Sequence, residues 1–355
     1  MKIAFTVLHG NITDSNRKSV GNNEALNIAE LMRKYYEVDF LTCKECEGCI
    51  HIDEEYNINQ YDSLFVMNGS VNMFGGQEIE TATTIYKLLH KFQGQIYYVL
   101  TDLLMPFVDY YKHIQNKPFN VYQPDDFRLQ RQLIILSQFK DVKAVERMHK
   151  GVDCKVYYLP LAYWYLKSYE KDQSETLNVY TVNNKVDLIY GGSFRAGNRL
   201  KKMEDYFFNK DLNVELFGNI KRSQFKGIYS SEPKFTGKVE PWNVIRKNST
   251  ALATLIIGDR NYNNNTITLR VIESLASDCL MFIDNDFDKV HEILAGIDYC
   301  YVSSGKELEE KIKELKNDRD KFEILKIQQE KILEEMKKVD LAKMIKEIMD
   351  ENKGY

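Results

Sequence analysis

The order of apolar runs constrains this chain more than any other feature. Short stretches rich in β-branched and aromatic residues, bounded by turn residues, alternate with amphipathic stretches from the first residue onward. That is the βαβ rhythm of a parallel sheet. The strands expected are Lys2–Leu8, Val38–Leu41, Ser63–Met67, Ile96–Leu100, Leu133–Leu136 and Val156–Leu159, with helices such as Asn23–Tyr36 and Ile79–Phe92 between them. One doubly wound sheet uses them all. After a polar segment, Lys167–Asn184, the rhythm restarts with Val186–Tyr190, Val214–Phe217, Leu252–Ile257, Leu280–Ile283 and Tyr299–Val302, so a second such sheet is expected.

From Lys306 to about Asn352 the sequence is rich in Glu, Lys, Leu and Ile and almost free of glycine, which predicts a helical tail. Amphipathic helices packed on the second domain, the last returning to the first, are preferred to a coiled coil. The domains expected are 1–168, 169–335 and a terminal helix over 336–355. The fold class is α/β, with two Rossmann-like domains facing a cleft at their carboxyl edges, where ligands of such folds bind. A length of 355 residues suits two cores. Six prolines, 18 glycines, 23 tyrosines and 18 phenylalanines exclude fibrous and disordered classes. A net charge of −4 excludes a wholly basic nucleic-acid coat. No apolar run is long enough to span a membrane, and Met1–Leu8 is too short for a signal h-region, so a cytoplasmic protein is expected.

Three segments carry chemistry. The strand ending at Tyr190 runs into Gly191, Gly192, Ser193, Phe194, Arg195, Ala196, Gly197, Asn198 and Arg199. Backbone amides at such a turn cradle phosphate, and Arg195 and Arg199, four apart and expected on one helix face, can both reach a diphosphate. The glycines do not form G-x-G-x-x-G, so a dinucleotide fingerprint is not supported. Further on, Arg270 and Glu273 share a helix face, a cation for phosphate and a carboxylate for ribose hydroxyls; by themselves they read better as a plain intrahelical ion pair, a reading that loses ground beside the arginine turn. In the first domain Asp102 follows the strand Ile96–Leu100 among apolar neighbours, a position for a general base or for a helix cap.

Other features are weaker. Gly69–Gly76 sets Met73 and Phe74 between glycines, a loop with an apolar tip. Tyr110–Pro124 mixes Tyr110, Tyr111, Phe119 and Tyr122 with Lys112, His113 and Lys117, and Asp109–Lys150 carries eight Lys and Arg (112, 117, 128, 131, 140, 143, 147, 150) against five acids (109, 125, 126, 141, 146). Such a surface suits phosphates and unstacked bases. Cys43, Cys46 and Cys49, with His51 two residues on, have a spacing that can hold zinc or an iron–sulfur cluster; reduced thiols are preferred and no metal site is assigned. Cys154, Cys279 and Cys300 read as buried sheet positions.

These residues resemble the bacteriophage DNA β-glucosyltransferases, which move glucose from UDP-glucose to 5-hydroxymethylcytosine in phage DNA. The strongest matches are Asp187–Arg199 (D-L-I-Y-G-G-S-F-R-A-G-N-R) and Leu255–Asp278 (L-I-I-G-D-R-N-Y-N-N-N-T-I-T-L-R-V-I-E-S-L-A-S-D). Met1–Ala4, Val66–Gly76 with S-V-N-M-F-G-G, Ile96–Asp102, Leu216–Asn219 and Phe235–Lys238 support them in order along nearly the whole chain.

The resemblance implies the glycosyltransferase type-B fold, an inverting transfer and a role for each residue. Asp102 matches the general base. Arg195, Arg199 and Arg270 match the diphosphate-binding arginines, with Gly192 and Ser193 beside them, and Glu273 matches the ribose-binding carboxylate. Val20 and Glu24 match the lining of the sugar pocket, and Phe217, Gly218 and Val239 lie where uridine is held. Asn72, Met73 and Phe74 fall on a loop of the DNA-facing side, to which Lys112 and Lys117 add charge. The implied partners are UDP-glucose as donor, a stimulatory Mg or Mn ion, and double-stranded DNA carrying a hydroxymethylated base, for a monomer in the cytoplasm of an infected bacterium. The family's pocket glutamate after Y-F-P falls at Ala162 in Tyr158–Ala162, which leaves another acceptor base or another UDP-sugar as the alternative, beside a non-catalytic nucleotide-sugar-binding anti-defence protein.

Overall fold

A strand in a parallel sheet is covered on both faces, so it needs an unbroken apolar run, and in the computed structural model the runs form strands. The structure describes residues 1–7, 23–43, 48–67, 79–101, 132–149, 152–166, 186–193, 197–240, 243–258 and 266–353. They divide into two compact units: Met1–Trp164 with Asp340–Tyr355, and Tyr165–Val339.

In the first unit the elements are β1 (Lys2–Thr6), α1 (Asn23–Met32), β2 (Glu37–Thr42), β3 (Ile50–His51), β4 (Ser63–Met67), α2 (Ile79–Lys91), β5 (Gln95–Leu100), β6 (Leu133–Ser137), α3 (Val142–Met148) and β7 (Cys154–Tyr158). Among the described residues the sheet has seven parallel strands in the order β3-β2-β1-β4-β5-β6-β7. Register places one aromatic ring per strand side by side: Phe5 opposes Phe40 and Phe65, and Phe65 opposes Tyr97. The rings Phe5–Phe65 and Phe65–Tyr97 stack at 4.6 and 4.9 Å between centroids. Alternation puts Ala4, Leu64, Val66, Ile96 and Tyr98 on the other face, against Ile85, Leu88 and Leu89 of α2 and Val145 of α3.

The second unit contains β8 (Val186–Ser193), α4 (Asn198–Phe207), β9 (Val214–Asn219), β10 (Lys234–Phe235), α5 (Val244–Asn248), β11 (Ala251–Ile256), α6 (Leu269–Leu275), β12 (Leu280–Asp284), β13 (Tyr301–Val302), α7 (Gly305–Asn317) and α8 (Arg319–Lys337). Its six described strands are parallel, in the order β10-β9-β8-β11-β12-β13. A final helix, α9 (Leu341–Glu351), belongs to the first unit. The tail is broken where side chains cap new helices: Ser304, Asp318 and Asp340 accept the amides of Glu307, Lys321 and Lys343. Leu341, Ala342, Ile345, Ile348 and Met349 make the buried stripe of α9. At its end Lys155 reaches Glu351 at 2.6 Å, and the Asn352 amide donates to the Tyr157 hydroxyl at 3.0 Å.

Several boundaries depart from expectation. Helix α1 stops at Met32, not Tyr36, because the amides of Tyr35 and Tyr36 both turn back to the Met32 carbonyl. Strands β3 and β10 were not expected; two residues each give no periodicity to read. The expected Tyr299–Val302 strand is reduced to β13, since Asp298–Cys300 forms a 3-10 turn. Cys154 is half-buried rather than buried, whereas Cys279 and Cys300 are buried.

Candidate active site

The chain visits strands β8, β9 and β10 in one direction across the second sheet and then returns to β11, so β8 and β11 flank the point where strand order reverses. Ligands of open α/β sheets bind at the carboxyl ends of the strands at such a point. The arginine turn leaves β8 there, and the Asn-rich stretch leading to α6 leaves β11.

Beside it, Gly191, Gly192 and Ser193 pair with Phe217, Gly218 and Asn219. A Cβ on Gly191 would lie 2.1 Å from the Phe217 ring, and one on Gly218, whose φ is +103°, would lie 2.2 Å from the Gly192 carbonyl oxygen. Only glycine permits both approaches. The Gly218 amide donates to the Gly237 carbonyl at 2.6 Å, and Val239 packs with Phe217, Ile189, Val244 and Ala251. Gly192, Ser193, Phe217, Gly218 and Val239 are therefore brought together as one wall.

Helix α4 begins at Asn198 after Gly197 at φ +86°. Arg195 lies outside the described residues. Arg199 sits in the first turn, its guanidinium donating to the Tyr190 hydroxyl and lying 6.0 Å from that ring. Sequence reasoning missed Tyr190. It is 1% exposed, rests on Phe207 at 5.0 Å, and fixes the arginine by a hydroxyl from the strand that leads into the turn. It also missed Lys202, one turn beyond Arg199, which ties α4 to the end of β12 through Asp284 at 2.8 Å and Asp286 at 2.8 Å. For Lys202 the signal was its helical spacing of +3 from Arg199; for Tyr190 the sequence carried none.

On α6 the expected pair forms: Arg270 lies 3.1 Å from Glu273. Burial raises the Glu273 pKa, against the opposing pull of the Arg270 charge. An arginine held beside a buried carboxylate presents charge for phosphate and an acceptor for hydroxyls.

In the first unit the reversal lies between β1 and β4. Glu24, in the first turn of α1, accepts a hydrogen bond from the Thr101 hydroxyl at the end of β5. Thr101 is 2% exposed and is the residue before Asp102. Glu24 is thus tied to the strand end from which Asp102 follows. Asp102 itself, Val20, Asn72, Met73, Phe74, Lys112 and Lys117 lie outside the described residues, as does Cys46. Among the described residues no group of three or more His, Cys, Asp or Glu could hold a metal.

Two Rossmann-like units and a helical tail constitute the glycosyltransferase type-B fold. The pattern of the family described as bacteriophage T4 beta-glucosyltransferase matches residues 1–170, and that of a glycosyl transferase-like family matches residues 199–347. The DNA beta-glucosyltransferase of enterobacteria phage T4 is 34% identical over 322 residues, covering 89% of this chain and 90% of the relative. The solved structure of the phage T4 enzyme with its UDP-glucose substrate superposes with a TM-score of 0.80 at 31% identity, over 99% of this chain and all of that one. The T4 enzyme with UDP and Mn2+ gives 0.80 at 32% identity with the same coverage. An alpha-glucosyltransferase with UDP and a DNA 13-mer, at 12% identity and a TM-score of 0.60, shares the fold over 99% of each chain. The chain belongs to the bacteriophage T4 DNA β-glucosyltransferase family.

Proposed function

We propose that this protein transfers glucose from UDP-glucose to the hydroxymethyl group of 5-hydroxymethylcytosine in double-stranded DNA, as a monomer in the cytoplasm of the infected bacterium, so that the sugar shields the phage genome from host nucleases. The observation that carries the reading is the gathering of Arg199, the Arg270–Glu273 pair and the glycine-lined strand ends of β8 and β9 at the reversal point of the second unit. The second unit then holds the donor and the first the DNA. No helix among the described residues is long and apolar enough to cross a membrane.

In this mechanism Asp102 takes the proton of the acceptor alcohol while its oxygen attacks the anomeric carbon from the face opposite UDP. The α-linked donor becomes a β-linked product in one displacement. Glu24 lines the sugar pocket, its carboxylate oriented by Thr101. Arg195, Arg199 and Arg270 stabilise the diphosphate as it gains charge, more in the transition state than in the ground state. Glu273 holds the ribose, and Phe217, Gly218 and Val239 the uracil side. A divalent cation supplies further charge neutralisation at the diphosphate. The acceptor base flips out of the duplex, with Phe74 or Met73 filling the gap and Asn72, Lys112 and Lys117 on the DNA side. Incubation with UDP-glucose and hydroxymethylcytosine-containing DNA, followed by mass spectrometry of the nucleosides, is expected to show a hexose on the modified base. No hexose there, with one appearing on hydroxymethyluracil in a parallel DNA that carries that base, or on neither, would redirect the acceptor assignment.

A further inference from the structure

Lys326 lies on α8 far along the chain from the arginine turn and is 6% exposed. An ammonium group taken out of water needs compensation. Its nearest carboxylate, Glu330, is 4.0 Å away and half-exposed. The hydrogen bonds of Lys326 go instead to backbone, to the Leu275 carbonyl at 3.2 Å and the Ser277 carbonyl at 2.5 Å. Those are the carbonyls at the C-terminal end of α6, where the helix dipole is negative. Burial lowers the lysine's pKa, which marks the burial of this charge as a cost that those dipoles offset.

The contact continues into the helix. The Ser277 hydroxyl donates to the Ser274 carbonyl at 2.6 Å, and the Ser274 hydroxyl donates to the Arg270 carbonyl at 2.8 Å. Lys326, Ser277, Ser274 and Arg270 thus form one line of hydrogen bonds, ending on the backbone of the residue that presents a guanidinium. Helix α6 has only seven residues, so few internal bonds fix its direction, and whatever holds its far end aims Arg270 and Glu273.

One turn further along α8, Gln329 is fully buried and does a different job. Its side-chain amide accepts from the Met281 amide at 3.0 Å and donates to the Met281 carbonyl at 2.8 Å, gripping β12 rather than α6.

We propose that Lys326 is a positioning residue for donor binding, setting the angle of α6 so that Arg270 and Glu273 meet the diphosphate and ribose; this rests on the donor reading of those two residues. The test compares Lys326→Met, which keeps the aliphatic stem, with Gln329→Leu, which removes the neighbouring grip. UDP affinity by calorimetry, melting temperature, and KM and kcat for UDP-glucose are measured for the full chain. Lys326→Met is expected to weaken UDP, and to raise KM for the donor, by roughly threefold to thirtyfold, the range over which residues remote from a ligand modulate affinity. Gln329→Leu is expected to lower the melting temperature at least as much yet leave UDP affinity within about twofold. Should Lys326→Met fail to fold, Lys326→Gln, which keeps a donor without the charge, is expected to weaken UDP in the same direction. UDP affinity unchanged in the folded variant, or lost equally in Gln329→Leu, would overturn the proposal and leave Lys326 a stabilising cap only. Arg270→Ala, measured alongside, separates the two failures: unchanged UDP binding there removes the donor reading of α6 itself.

Discussion

At the scale of single residues, the proposed mechanism divides the site into groups that bind and one that reacts. Arg199→Ala is expected to weaken UDP by about 1.5–3 kcal/mol in calorimetry, the size of a charge-assisted phosphate contact. Tyr190→Phe removes only the hydroxyl that holds the same arginine, so a smaller loss, about 0.5–1.5 kcal/mol, is expected. Equal losses would mean that Tyr190 meets the nucleotide directly. Asp102→Asn should leave UDP affinity and folding intact while turnover falls ~100-fold or more. Turnover near that of the unaltered chain would move the base role to another carboxylate, with Glu24 the first to examine. His149 is a residue of stability rather than chemistry. It is 1% exposed, its Nδ1 lies 2.8 Å from the Val145 carbonyl, and burial lowers its pKa below the ordinary value of 6.5. A depressed folded-state pKa means that stability is present above about pH 6.5 and is lost as pH falls below it, because the unfolded chain binds the proton more readily. Urea midpoints between pH 7 and pH 5 are expected to fall less in His149→Gln than in the unaltered chain; an identical fall would assign the acid sensitivity elsewhere.

At the scale of elements, the returning helix α9 makes the sharpest test. Its five buried side chains, Leu341, Ala342, Ile345, Ile348 and Met349, together with the Lys155–Glu351 and Asn352–Tyr157 contacts, belong to the first unit. Truncation after Val339 is expected to destabilise that unit by at least about 5 kcal/mol, from burial worth about 1.5–3 kcal/mol for each large aliphatic side chain. Calorimetry would show the first unit's transition move while the other stays; a shift of both would contradict the division. Much of this level was legible in sequence. Long apolar strands such as Ser63–Met67 and the paired spacing of Arg270 and Glu273 both leave periodic or helical signatures, and both formed. What escaped was set by tertiary contacts. The two-residue strands β3 and β10 exist only because a neighbour offers a hydrogen-bonding edge. Gly197 precedes α4 with a positive φ that a residue count cannot see. Tyr190 and Lys326 bond to partners 9 residues and about 50 residues away, and no local pattern announces either.

At the scale of the whole molecule, a net charge of −4 argues that DNA binding uses few phosphate contacts. The salt dependence of affinity is then expected to be shallow, with a slope of about −0.9 for each contact, and charge alone would not locate the target base. With 2-aminopurine beside the modified base, binding is expected to raise fluorescence as the stack opens, and Phe74→Ala to raise it less. No rise, together with equal activity on free nucleosides, would turn the reading toward a small-molecule acceptor. The division of the chain also carries a consequence for how it is made. The first unit takes its final helix from Asp340 onward, while Tyr165–Val339 belongs to the second. During translation the ribosome must therefore deliver a complete second unit before the first can close. At about 5–20 residues per second, the surface that α9 will cover waits on the order of ten seconds or more, a window in which a nascent chain is open to holdase chaperones and to strand exchange with its neighbours on the same message.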